Sequence, residues 1–227
     1  MGWNIVYKEP PATSFATLFE STENPLSEGG AWVKAGSAWQ TVRSLNSYAC
    51  GAAYTDAEDD AYVKLSSSTF AAPNDDYEVV ATVRHVNDQL AVQEIEILLR
   101  VVDTSTTINC YEVLVATNGS ITLVRWNGIP HNGEYLILDS TTSNPASWSG
   151  NGDKIKARVT GTNPVVVNVW HAPSSNPTNF TQLSGFPYSD TDATRKQSGQ
   201  PGIAFYQHAA DNNLLNAGWQ DFTVTSV

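Results

Sequence analysis

Glu94 and Glu96 stand two residues apart in an apolar run, Glu94-Ile95-Glu96-Ile97-Leu98-Leu99. Side chains of an extended chain alternate between faces, so these two carboxyls share one face. Paired carboxylates on one face are the equipment of glycoside cleavage, one as general acid and the other as base or nucleophile. They are also what a solvated strand face looks like, with Arg84 or Arg100 as partners. A second set of reactive types is Arg84, His85, Arg100 and Tyr111. A cation with a Tyr/His pair suits proton transfer beside a uronate carboxylate. Arg84 and His85 are adjacent, however, so on a strand they face opposite sides and the set does not converge. Arg84, Arg100, Glu96 and Glu112 then read as a ladder of ion pairs across neighbouring strands, at about 0.2–1 kcal/mol per pair.

Metal chemistry finds little support. The histidines His85, His131, His171 and His208 are scattered, with no pair at ligand spacing. Cys50 and Cys110 are too few for a zinc site or a disulfide scaffold. They read as buried small hydrophobes, with a single bridge between them left open. The acidic run Asp56–Asp60 lacks the spacing of a calcium loop.

Sugar binding asks for aromatic platforms beside a few amide or carboxylate groups. Trp126, Tyr135, Trp148, Trp170 and Tyr206 are the aromatic candidates, with Asn127, Asn132 and Asn168 as amides. Trp148 leads, because it lies in a Ser/Gly/Asn loop with no strand partner. Trp170 shares a strand face with Asn168, opposite Val165, Val167 and Val169. Trp32, Trp39 and Trp219 are assigned to the core.

Several strands must position these groups. Residues 94–128 hold three apolar runs, Glu94–Val102, Cys110–Ala116 and Ile121–Trp126. Asn118-Gly119 between the last two signals a type I′ hairpin, whose central residues both need positive φ. Trp32 and Trp39 flank Lys34-Ala35-Gly36 and suggest a second hairpin. Tyr77–Val86, Asp153–Gly161 and Pro164–His171 alternate apolar with polar. Residues 1–14, with Pro10-Pro11, read as an extended arm. No stretch carries a 3.6-residue apolar stripe. Roughly ten or more short strands with Gly/Asn/Pro turns predict an all-β, two-sheet antiparallel sandwich, one domain over 1–227.

The chain has 227 residues, 41% hydrophobic and 15% charged, enough for a sizeable core. Its formal charge is −11, from 12 basic and 23 acidic residues. That balance speaks against nucleic acid and polyanionic glycans as partners, since both need clustered Lys/Arg. No apolar run reaches the roughly 18 residues of a membrane helix, so no membrane insertion is expected. The N-terminal stretch has no basic segment followed by an apolar one, so no signal peptide is expected in this chain.

The order of several short motifs resembles the concanavalin A-like lectin/glucanase jelly roll, in its laminin-G-like and lectin-like variants. They are Leu98-Leu99-Arg100-Val101-Val102-Asp103, Asn109-Cys110-Tyr111-Glu112-Val113 and Ile121–Gly128. Gly152–Gly161, Gly199–Ala204 and the closing Trp219–Val224 continue the series, and Phe15 and Phe19 supply a first strand. The resemblance implies a jelly-roll fold that serves lectins, hydrolases, lyases, adhesion modules and virion proteins alike. Its glucanases carry E-x-D-x-x-E. Here Glu96 stands for the middle Asp and Leu99 for the last Glu, which removes the acid/base, so no catalytic residue is assigned. The lyase motifs Q-I/V-H and Y-x-K-x-G-x-Y are absent; the nearest stretch, Tyr62-Val63-Lys64, stops short. The resemblance also implies one structural calcium near the first and last strands, with Asp221 and Glu20 or Glu23 as ligands.

These readings converge on a non-enzymatic, lectin-like carbohydrate-binding module. A virion component such as a phage capsid decoration or tail protein, or an extracellular surface, is the expected setting. Its partner is then a glycan or a protein assembly such as a capsid, with homo-oligomer formation left open. A polysaccharide-degrading enzyme is the alternative, lyase ahead of hydrolase. In this reading the strands of 94–128 are scaffold, and function belongs to the loops.

Overall fold

The computed structural model describes residues 12–36, 39–45, 47–51, 58–86, 93–129, 134–141, 145, 147–208 and 217–227. Among them the strands, in chain order, begin with β1 (Ser14–Thr17), β2 (Trp32–Val33), β3 (Val42–Ser44), β4 (Ala49–Gly51) and β5 (Glu58–Leu65). The middle of the chain gives β6 (Tyr77–His85), β7 (Glu94–Asp103), β8 (Ile108–Ala116), β9 (Ile121–Gly128) and β10 (Tyr135–Thr141). It closes with β11 (Lys154–Thr160), β12 (Val165–Ala172), β13 (Thr181–Gln182), β14 (Tyr188–Asp190), β15 (Gln200–His208) and β16 (Ala217–Ser226).

They form two antiparallel sheets. One runs β13-β12-β11-β6-β16-β4-β3, with β1 on β16 and β14 on β12; the other runs β10-β9-β8-β7-β15-β5-β2. The all-β, two-sheet sandwich expected from period-2 patterning is what the chain builds. Between the sheets lies one large apolar cluster. Val79, Ala81 and Val83 of β6, Ile155, Ala157 and Val159 of β11, and Val165, Val167 and Val169 of β12 enter it from one sheet. Ile95, Ile97 and Leu99, Tyr111, Val113 and Val115, and Ile121 and Leu123 enter it from the other. Each fully buried aliphatic side chain contributes about 1.5–3 kcal/mol, and strict alternation keeps the register from slipping.

The block over 94–128 is β7-β8-β9, consecutive neighbours in the second sheet. Its last turn differs from the type I′ expectation. Only Gly119 has positive φ there, at 91°. The Gly119 amide donates to Ala116 O at 2.8 Å, and the Ala116 amide donates to Ser120 O at 2.9 Å. This is a type I turn closed by a left-handed glycine, the longer hairpin solution. The Trp32/Trp39 hairpin does not form. β2 pairs with β5 at Trp32↔Leu65, and Gln40 bridges Ala61 in a parallel sense, so this segment crosses the sheet instead of folding back on itself. Residues 1–11 of the expected arm lie outside the described residues, and Ser14 already pairs with Thr225 of β16.

The proposed charge ladder is overturned by a bulge. The β7 register shifts between Leu99 and Val102, and Arg100 adopts φ 55°. A bulge re-aims one side chain, and here the Arg100 guanidinium turns into the protein, 0% exposed. It donates to Asp76 Oδ1 at 2.9 Å and to the carbonyls of Asp75, Gly161 and Lys196 at 3.1, 2.7 and 3.0 Å. Arg84 sits in the other sheet with its guanidinium 4.1 Å from the Tyr48 ring centre. Neither arginine reaches Glu96 or Glu112. Both cysteines are buried free thiols.

Candidate binding groove

With Ile95, Ile97 and Leu99 turned to the core, the same alternation turns Glu94, Glu96 and Leu98 to the outer face of the second sheet. Antiparallel registers then align side chains in rows across that face. Asp60, Tyr206, Glu94 and Ala116 form one row over β5, β15, β7 and β8. Tyr62, Ala204, Glu96, Leu114 and Thr122 form the next. Leu98, Glu112, Val124 and Ile137 form a third, and Cys110, Trp126 and Tyr135 a fourth.

One end of this face is covered. Trp39 lies edge-on to Tyr62 and Trp126, with ring centres 5.4 and 5.0 Å away. With Leu98, Val101, Ile108, Cys110, Val124 and Ala204 these residues make a second apolar cluster outside the sandwich. Asp103 pins this strap, accepting from the Ala35 amide at 2.9 Å and from Tyr62 Oη at 2.8 Å. Beyond Trp126 the face is open. It holds a groove of about 550 Å³ whose lining includes Asp60, Glu94, Glu96, Glu112, Trp126, Tyr135 and Tyr206.

The electrostatics of the groove are set by crowding. Glu96 and Glu112 are 2% and 3% exposed. Burial pushes Glu94 up to about 7, with the charge of Asp60 adding to the effect. Glu112 is pushed up to about 8 by burial, then eased down by a hydrogen bond from Trp126 Nε1 and raised again by Glu94 and Asp60. Burial, followed by the charges of Glu112, Asp60 and Glu94, lifts Glu96 well above the ordinary carboxyl range. Both causes disfavour the ionised form. Beside the acids stand Trp126 and Tyr135, ring centres 5.2 Å apart, with Tyr135 half exposed at 50%.

No protein-family model matches the chain, and no curated protein sequence does. Solved structures do. The VIP36 exoplasmic/lumenal domain, in a form bound to Ca²⁺ and Man3GlcNAc, superposes with a TM-score of 0.57 at 9% identity, over 95% of this chain and 88% of that one. The potassium-bound carbohydrate recognition domain of Emp46p gives 0.51 at 9% identity, over 95% and 97%. The fold is the concanavalin A-like jelly roll. A GH43 protein from Bacillus licheniformis shares it as well, at 0.52 and 9% identity, over 93% of this chain but 39% of that one. Identities this low carry the architecture alone.

The jelly roll separates the aromatic candidates. Trp126 and Tyr135 meet in the groove, with Tyr206 on the same face. Trp170 and Asn168 lie on the other sheet. There Lys156 Nζ stands 4.5 Å from the Trp170 ring centre, and Gln182 Nε2 donates to Asn168 Oδ1 at 3.1 Å. Trp148 packs against the core, its ring 5.7 Å from that of His171. Asn127 accepts from Lys196 Nζ at 2.9 Å, outside the groove lining. Asn132 and His131 are outside the described residues. The placement of Glu94 and Glu96 corrects the view of 94–128 as scaffold alone: its outer face is the floor of the groove.

Glu112 and Asp60 went unrecognised as site residues in the sequence. The signal for Glu112 was present: hairpin-linked strands with known inner faces put it on the same outer face as Glu96. Asp60 needed the β15–β5 pairing, which joins distant segments.

Glu20, Glu23 and Asp221 line one shallow hollow, together with Glu28. They do not fit a calcium site. Asp221 accepts from the Thr82 amide and Oγ1 at 2.8 and 2.7 Å. Glu23 Oε2 accepts from the amides of Ser27 and Glu28, both at 2.7 Å. Glu28 accepts from Thr17 Oγ1 at 2.5 Å and Trp32 Nε1 at 2.8 Å. The carboxylates of Glu23 and Glu28 are engaged in holding the β1–β2 connection, and that of Asp221 in tying β16 to β6. Among the described residues no three Asp, Glu, His or Cys side chains are close enough together to hold a metal ion.

Proposed function

We propose that this protein is a carbohydrate-binding module whose ligand lies in the groove on the outer face of the second sheet. The observation that carries the reading is the half-exposed Tyr135 ring beside Trp126 at the edge of a groove floored by buried acceptors. A sugar offers that arrangement an apolar ring face and a rim of hydroxyl donors. Titration against a glycan panel tests it. Tyr135→Ala should weaken binding by about three- to tenfold, with Trp170→Ala neutral. Loss of binding in Trp170→Ala alone moves the site to the other sheet and overturns the groove.

We extend the proposal to setting: a module displayed on a virion, as a phage capsid decoration or tail component, or on a cell surface. The acid-rich, Ser/Thr/Asn-rich chain supports it, and co-purification with particles tests it. Cleavage of a polysaccharide is the second reading. It is favoured by the protons that Glu94 and Glu112 hold near neutral pH, the state a general acid needs. Hydrolysis suits the groove better than lyase chemistry, because among the described residues the lining holds no Lys, Arg or His to bind a uronate. Reducing-end release and absorbance of unsaturated products separate the two from simple binding.

A further inference from the structure

A separate hollow, of about 400 Å³, lies where the 193–198 loop meets the ends of β7, β8 and β9. Its lining includes Arg100, Asn109, Asn127, Arg195 and Lys196, and among the described residues no aspartate or glutamate lines it. The loop is held from within. Arg100, turned inward by the β7 bulge, donates from Nη1 to Lys196 O at 3.0 Å, and the Lys196 amide donates to Tyr111 Oη at 3.1 Å. Both anchors are 0% exposed. The two cations of the loop are held as well. Lys196 Nζ donates to Asn109 Oδ1 at 3.1 Å and to Asn127 Oδ1 at 2.9 Å. Arg195 donates from Nε to Thr162 O at 2.7 Å and from Nη1 to Asp192 O at 2.8 Å.

Every one of those acceptors is neutral. The carboxylates nearby are committed elsewhere: Asp76 to Arg100, Asp190 and Asp192 to Arg125, and Asp75 to the Gly199 amide. Burial, and after it the Arg125 charge, holds the Lys196 ammonium below the usual lysine range, by more than Asp190 and Asp192 restore. An ammonium has three donors and a guanidinium five, so both side chains keep donors to spare. A lysine that only pinned the loop would gain nothing from its charge, because a neutral donor satisfies amide oxygens at a smaller desolvation cost. A fixed lysine and arginine with spare donors, in a concave surface without an acid, are complementary to an oxyanion. The whole-chain charge of −11 repels a long polyanion, so the match is one anionic group. The hollow has room for that group and for a small carrier.

We propose that this hollow binds a single oxyanion group, phosphate or sulfate, between Lys196 Nζ and the Arg195 guanidinium, either free or as the one charged substituent of a sugar. It shares no lining residue with the groove, so the two readings stand or fall separately.

The test is titration of the full chain with sodium phosphate at constant ionic strength, followed through the backbone amide resonances of residues 193–198. Saturable shifts confined to that loop are expected. Lys196→Gln keeps donors for the two asparagines and removes the charge; it should weaken binding at least about tenfold. Arg195→Gln should do the same, and its loop resonances before titration show whether the fold is kept. Tyr135→Ala and Lys154→Gln should leave binding unchanged. Glucose 6-phosphate and glucose separate the two sources. Tighter binding of glucose 6-phosphate than of phosphate assigns the group to a sugar, and equal binding assigns the free ion. Shifts that sodium chloride or glucose reproduces, or binding that survives both charge-removing variants, overturn the site.

Discussion

At the scale of single residues, the groove acids behave unlike the surface carboxyls around them. Burial first, with the charge of neighbouring carboxyls, Asp60 among them, adding to it, raises Glu94, Glu96 and Glu112 above the range of an exposed carboxyl. Their folded values are raised above the unfolded value of about 4.3. Their contribution to stability is therefore complete below that pH, and is lost as pH climbs through about 7 for Glu94 and about 8 for Glu112. We expect the melting temperature to fall between roughly pH 4.5 and pH 8, and to fall less steeply in Glu112→Gln. A parallel pH profile in the variant counts against the raised value. Glu94 and Glu96 were legible in the chain because spacing by two fixes a shared face. Their third partner was sought at Leu99, on the same strand. The acid that joins them is Glu112, one strand over, and a linear motif cannot express a neighbour set by register.

Among the elements, the strap through Lys34, Ala35 and Trp39 decides how much of the sheet face stays open. Trp39 caps Cys110 and the lower part of the face, and the groove begins where its cover ends. Trp39→Ala should cost about 3–5 kcal/mol. It should also bring Cys110 within reach of a thiol reagent, raising the labelling rate at least about tenfold over wild type, with Cys110→Ser as the control for Cys50. An unchanged rate means the cluster stays shut without its tryptophan. The strands themselves were plain in the alternation of Tyr77–Val86, Asp153–Gly161 and Pro164–His171, since a half-buried sheet leaves that imprint on every residue. Departures from regularity left none. The Arg100 bulge sits inside a run whose neighbours are all apolar, and the glycine-closed turn at Gly119 shares its Asn-Gly dipeptide with the tighter type I′ hairpin. The strap was misread as a hairpin because a local turn signal is silent on which distant strand a Trp will cover.

For the molecule as a whole, the net charge of −11 makes any cationic partner sensitive to ionic strength. It leaves the internal Arg100 cluster, screened from solvent, indifferent to it. The hollow that holds Glu20, Glu23 and Asp221 is tied by hydrogen bonds from Thr82, Ser27 and Glu28. We expect calcium or a chelator to leave the melting temperature unchanged. A rise with added calcium, abolished in Asp221→Asn, overturns that account of the hollow. β1 and β16 run side by side in the first sheet, Ser14 against Thr225, while the groove opens from the far side of the second. A tether spliced ahead of Ser14 and another spliced after Ser226 thus depart together from the back of the molecule. Copies grafted to a bead, or strung in tandem, then point their grooves away from the support, so that the proposed binding of a polymer with repeated ligands would gain from many weak contacts at once.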